Sequence, residues 1–128
     1  MESATALDRL GALAQETRLA LFRLLVRQGP AGAAAGEIGA ALAVPAPTLS
    51  FHLAQLERAG LVTSRRAGRS IRYATNFAAM EELLAYLAHS RAKCRARLAA
   101  MTEAKAAMSC GFKRFDMTAV EFQLYGMR

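Results

Sequence analysis

Residues 37–76 read EIGAALAVPAPTLSFHLAQLERAGLVTSRRAGRSIRYATN, and the change of period within this stretch decides the fold. Residues 37–43 give a short helix with Ile38 and Leu42 four apart on one face. Val44-Pro45-Ala46-Pro47 breaks it, because a residue before proline is pushed out of the α region and proline suits the first turn of the next helix. Residues 48–59 then place Leu49, Leu53 and Leu56 at i, i+4 and i+7, with Gly60 at the C′ position. After Gly60 the period changes to that of strands. Residues 61–66 and 70–74 are β-compatible runs on either side of Ala67-Gly68-Arg69, which reads as a hairpin. Two helices about a tight break, with a hairpin directly behind them, make a winged helix-turn-helix.

On the N-terminal side, residues 5–14 and 17–27 are helical, carrying Leu7, Leu10 and Leu13, then Leu21, Leu24 and Leu25. Gly29-Pro30 ends the second run, and the small residues of 30–36, PAGAAAG, read as a loop. On the C-terminal side, about thirty residues from Phe77 are helical again. Met80, Leu84, Leu87, Arg91, Cys94, Leu98, Met101, Lys105 and Met108 follow steps of four and three, the seven-residue repeat of an interface helix. Cys110-Gly111 ends it, and 116–125 forms one more short helix. The expected fold is mostly α with a β-hairpin wing, dimerising through its first and last helices. Residues 1–90 form the winged domain, and 91–128 a helical extension.

The 128 residues suit one domain, and 29 of them are alanine, so the core is thin and grows by pairing. Seventeen Lys and Arg against ten Asp and Glu leave a net charge of +7, which points to an acidic partner, nucleic acid first. No apolar run is long enough for a membrane span, and Glu2 and Asp8 near the start do not suit a secretory leader. A cytoplasmic protein with no membrane partner is expected. No nucleophile beside a base, no glycine-rich phosphate loop and no carboxylate pair is visible, which argues against an enzyme.

In a winged helix-turn-helix the second helix lies in the major groove, so residues 47–55 are the ones to face base edges. Thr48, Ser50, Phe51, His52 and Gln55 are the candidates there. Phe51 suits a thymine methyl or packing against the hairpin. His52 and His89 lack a second ligand at metal spacing, so both read as structural or phosphate-contacting. The hairpin supplies Arg65, Arg66, Arg69 and Arg72 with no acid among them. These suit phosphates or a narrow minor groove, against the plainer reading of a solvated edge.

Leu13-Ala14-Gln15-Glu16-Thr17-Arg18-Leu19-Ala20-Leu21-Phe22, Gly36-Glu37-Ile38, Pro47 through Leu53, Leu56 through Val62, Arg66-Ala67-Gly68-Arg69 and Tyr73 resemble the ArsR/SmtB family of bacterial winged-helix repressors over about residues 7–90. The resemblance implies a homodimer that binds an inverted repeat in double-stranded operator DNA and leaves it when an inducer binds. The tract Asn76-Phe77-Ala78-Ala79-Met80-Glu81-Glu82-Leu83-Leu84-Ala85-Tyr86-Leu87 is similar to the last helix of the arsenic-responsive branch. There, however, Arg91 and Ala92 stand where that branch has a Cys-Cys pair. Residues 37–41 carry no Cys-x-Cys, and His89 stands alone on the final helix. At the family's base-contacting places stand Ala46, Pro47, Ser50 and Phe51, of which only Ser50 is a usual occupant.

Two cysteines remain, Cys94 and Cys110. In a reducing compartment they read as inert thiols, a redox or reactive-sulfur switch, or a metal-type site for a small thiophilic inducer. Two thiols match the two exchangeable positions of an organic trivalent arsenical, whereas inorganic arsenite takes three. No cofactor is required on this reading; the arsenical is the inducer. Sixteen residues of unbroken helix would separate the sulfurs by ~24 Å, so either the chain breaks near 90–92 or Thr102, or the site spans two subunits. A DNA-binding protein that ignores both arsenicals and oxidants is the third reading.

Overall fold

The computed structural model describes residues 1–106. Cys110, Met108 and the expected helix at 116–125 lie outside the described residues. The chain divides into two compact units, Met1–Tyr86 and Leu87–Arg128.

The first unit contains α1 (Ser3–Leu13), α2 (Glu16–Gln28), a 3-10 turn (Gly29–Ala31), β1 (Ala33–Ala34), α3 (Ala35–Leu42), α4 (Ala46–Arg58), β2 (Val62–Ala67) and β3 (Ser70–Thr75). It also contains the start of α5 (Phe77–Ala106). The break between α1 and α2 comes from two side chains of the LAQETRL stretch. Gln15 caps α2 by accepting the Arg18 N–H at 2.8 Å, and the Arg18 guanidinium caps the end of α1 on the Ala12 and Gly11 carbonyls. α5 starts the same way, since Asn76 Oδ1 accepts the Ala79 N–H at 3.3 Å while its Nδ2 donates to the Gly60 carbonyl.

Leu21, Leu25, Ile38, Leu49, Leu53, Leu56, Leu61 and Val62 form the buried centre, joined by Phe22 and Ala33. The leucine spacings of α2 and α4 therefore meet on one core, as their period requires. In the turn between α3 and α4, Ala43 takes the left-handed conformation, φ 52°, where glycine is the usual occupant.

The sheet corrects one expectation. Residues 30–36 are not a plain loop: after the 3-10 turn, Ala33 and Ala34 pair antiparallel with Tyr73 and Arg72 of β3, giving the order β1-β3-β2. α3 then begins at Ala35, not Glu37. Gly32 makes this approach possible, because a Cβ there would overlap the Tyr73 carbonyl and its φ is +65°. α4 likewise starts two residues earlier than its leucine spacing suggests, with Pro47 in its first turn.

In the second unit, the described part is the remainder of α5. It runs without interruption through 90–92 and Thr102 to Ala106, so the break considered there is absent. Thr102 Oγ1 simply donates back to the Leu98 carbonyl at 2.8 Å.

Candidate nucleic-acid interface

At about 100° per residue, burying Leu49, Leu53 and Leu56 turns the opposite side of α4 to solvent. That outward side carries Pro47, Ser50, Phe51, Ala54 and Arg58, all exposed, with Thr48 also exposed beside them. Phe51 is 57% exposed, an unusual setting for a phenyl ring on a free surface. His52, one of the five candidates on this helix, does not face outward: it is buried, its ring meets Phe51 edge to face at 5.6 Å, and it lies on the core side of α4, which fits the structural one of its two readings. Gln55 is half-buried in a hollow with Leu7, Gly11 and Arg18, facing α1 and α2 rather than outward. Of the five residues proposed on this helix, Thr48, Ser50 and Phe51 stand on the open surface.

The wing is the β2–β3 hairpin, turning through Gly68 at φ +63°. It is tied to α4 by Ser64 Oγ, which donates to Glu57 Oε1. Strand alternation divides its arginines. Arg65 and Arg72 face each other across the hairpin, while Arg66 lies on the other face opposite Ile71. Arg72 donates from Nε to the Ala31 carbonyl at 3.2 Å and from Nη2 to the Gly32 carbonyl at 2.9 Å. Arg65 Nη2 reaches the same Ala31 carbonyl at 3.4 Å. Glu37 stands beside them, its Oε2 accepting the Ala34 N–H at 2.8 Å and lying 3.9 Å from Arg72 Nη2. Among the described residues, Arg66 and Arg69 have no hydrogen-bond or ion-pair partner and are exposed. This division, and the Asn76 cap, were missed at the sequence level. An asparagine immediately before an apolar helical run was the signal for the cap.

A family model described as a helix-turn-helix domain matches residues 13–65. An ArsR-like transcriptional regulator from Rhodococcus sp. RHA1 is 31% identical, with TM-score 0.70 over 78% of this chain and 92% of its own. The chain belongs to the ArsR family of winged-helix transcriptional regulators. Reduced HlyU from Vibrio cholerae N16961 is 30% identical to this ArsR-family chain, with TM-score 0.54 over 63% of it and 83% of HlyU. A homodimeric winged helix-turn-helix DNA-binding domain from Mycobacterium bovis, a possible ArsR-family regulator, is 28% identical, with TM-score 0.54 over 72% and 80%. No curated protein sequence matches the chain. Family and fold are those of a DNA-binding transcriptional regulator, which is not an enzyme. Among the described residues, no helix is long and apolar enough to cross a membrane, and no group of three His, Cys, Asp or Glu is placed to hold a metal ion.

The remaining site residues lie along α5. Cys94 is exposed, a free thiol flanked in sequence by Arg91, Lys93, Arg95 and Arg97. Its intended partner, Cys110, lies outside the described residues.

Proposed function

We propose that this ArsR-family regulator is a homodimeric repressor that leaves its operator when a trivalent arsenical, organic in preference, joins Cys94 and Cys110. The observation that carries the repressor reading is the joint display on one unit of an exposed Ser50–Phe51 helix face and a basic wing fastened to that helix through Ser64 and Glu57. Pairing is favoured by the large apolar side chains that one chain leaves uncovered on its first and last helices. Leu7 is 69% exposed on α1, and Leu84, Leu87 and Leu98 are exposed on α5. The homodimeric mycobacterial relative supports the same reading.

The length of α5 bears on where the thiols meet. From Cys94 to Ala106, the last described residue of α5, the axis advances ~18 Å. The four residues from there to Cys110 reach at most ~14 Å when fully extended, with none left to turn the chain. A site shared between two subunits is therefore favoured over one within a single chain. Two thiols would displace two hydroxo groups from arsenic, forming two As–S bonds and releasing two waters. The carbon substituent occupies the third position, so arsenite is left one ligand short.

Full-length protein on a fluorescein-labelled duplex from its own promoter region tests this reading. Phenylarsine oxide should release the protein at lower concentration than arsenite does, and Cys94→Ser should abolish release while keeping DNA affinity. A second reading, oxidation of the same thiols, is favoured by the relative whose structure is of the reduced protein. Release by peroxide alone, with a Cys94–Cys110 crosslink between subunits and water as the reduced product, would establish it instead. Equal release of wild type and Cys94→Ser by the arsenical would dismiss the thiols.

A further inference from the structure

The four wing arginines share one charge but not one environment. Arg65 and Arg72 are cross-strand neighbours, and like charges directly opposite each other are unfavourable unless something draws them together. The 29–32 turn supplies that attraction. Its Ala31 carbonyl accepts from both guanidinium groups and its Gly32 carbonyl from Arg72, while the Glu37 carboxylate stands nearby as the counter-charge. These carbonyls follow the C-terminal end of α2, where the helix dipole favours cations. The Arg72 side chain is 31% exposed, which is low for an arginine on a hairpin. Arg66 and Arg69 sit on the opposite face and at the turn, exposed, without partners among the described residues. Arg66 lies on the face from which Ser64 reaches Glu57 of α4, the side of the wing that accompanies the recognition helix.

We propose that Arg65 and Arg72 are positioning residues that anchor the wing to the α2–β1 turn, while Arg66 and Arg69 are the wing's phosphate contacts. This division rests on the DNA-binding reading for its second half only. The anchoring half concerns the free protein. Anchoring fixes the angle at which the wing leaves the sheet, and so the height at which Arg66 and Arg69 meet the phosphates beside the groove filled by α4.

Salt dependence separates the two roles, because each phosphate contact removed lowers the slope of log K against log salt by about one. The full-length protein is titrated with the promoter duplex and with a duplex of arbitrary sequence at several salt concentrations. Arg66→Gln and Arg69→Gln should each reduce the slope by about one per subunit, with unchanged amide exchange in the hairpin. Arg72→Gln should leave the slope unchanged, weaken binding at every salt concentration, and speed amide exchange across 62–75 in the DNA-free protein. Arg72→Lys keeps the charge but loses the two-carbonyl grip, so it should behave as Arg72→Gln does. A slope reduced by Arg72→Gln but restored by Arg72→Lys would overturn the proposal, since it would make Arg72 a phosphate contact. So would unchanged hairpin exchange in both Arg72 variants. If wild type binds neither duplex, the DNA reading and the assignment of Arg66 and Arg69 fall together, whereas the exchange measurement still decides the anchoring.

Discussion

The guanidinium of Arg9 in α1 holds two groups of α5 at once: Nη1 donates to the Ala79 carbonyl and to Glu82 Oε2, each at 3.0 Å. The two partners differ in surroundings, since the Arg9 side chain is 11% exposed and that of Glu82 60%. Arg9→Met should therefore cost about 1–3 kcal/mol, by losing a shielded charge-assisted bond. Glu82→Gln should cost less than about 1 kcal/mol, because its half of the pair is bathed in water. Calorimetric melting of both variants checks the ranking, and equal losses would refute it.

Leu84 projects into solvent from α5 when the chain stands alone. If a second copy covers it, Leu84→Glu should give a folded monomer by sedimentation with unchanged helical circular dichroism. Operator affinity should then fall by about a hundredfold or more through the loss of two-site binding. A persistent dimer would place the interface elsewhere.

Gly29 and Gly32 have nearly the same backbone angle, φ +70° and +65°, but different neighbours. Nothing lies within 4 Å of a Cβ at Gly29, so Gly29→Ala should cost only the backbone penalty of its φ +70°, ψ −159° conformation, about 1–3 kcal/mol. Gly32→Ala also drives a methyl into the Tyr73 carbonyl and should cost more than about 3 kcal/mol, or prevent folding. Urea titration of the pair isolates the price of the clash.

Phe51 contributes little to the interior, so Phe51→Ala should shift the melting point only slightly. On DNA it should reduce the preference for operator over arbitrary duplex by about tenfold, in line with ~1–3 kcal/mol for a lost base contact, with the salt slope unchanged. Uniform weakening on both duplexes would mean that Phe51 shapes the surface without reading bases.

The parts of this fold that were legible are those governed by local periodicity. Leu49, Leu53 and Leu56 dictate the buried side of α4, and the alternation from Val62 to Thr75 dictates a hairpin. The same spacing would have placed His52 inside, since it is three residues after Leu49 and four before Leu56. β1 was not legible, because Ala33-Ala34 has no strand preference of its own and is a strand only through its distant register with Tyr73 and Arg72. Alternation distinguishes Arg65 from Arg66, but which of the two faces a carbonyl depends on where Gly32 brings the 29–32 turn. That is a tertiary fact.

Ala43 shows that the hinge of the DNA-reading motif is not at its most comfortable. A left-handed alanine carries about 1–2 kcal/mol that glycine would not, against about 0.5–1 kcal/mol for glycine's greater freedom when unfolded. Ala43→Gly should thus be neutral or gain up to about 1.5 kcal/mol, without altering any side chain on the exposed face of α4. The chain carries an unused reserve three positions ahead of its reading head. A background with that reserve released would tolerate harsher replacements at Pro47, Ser50 and Phe51, so that operator preference could be re-evolved without first losing the fold.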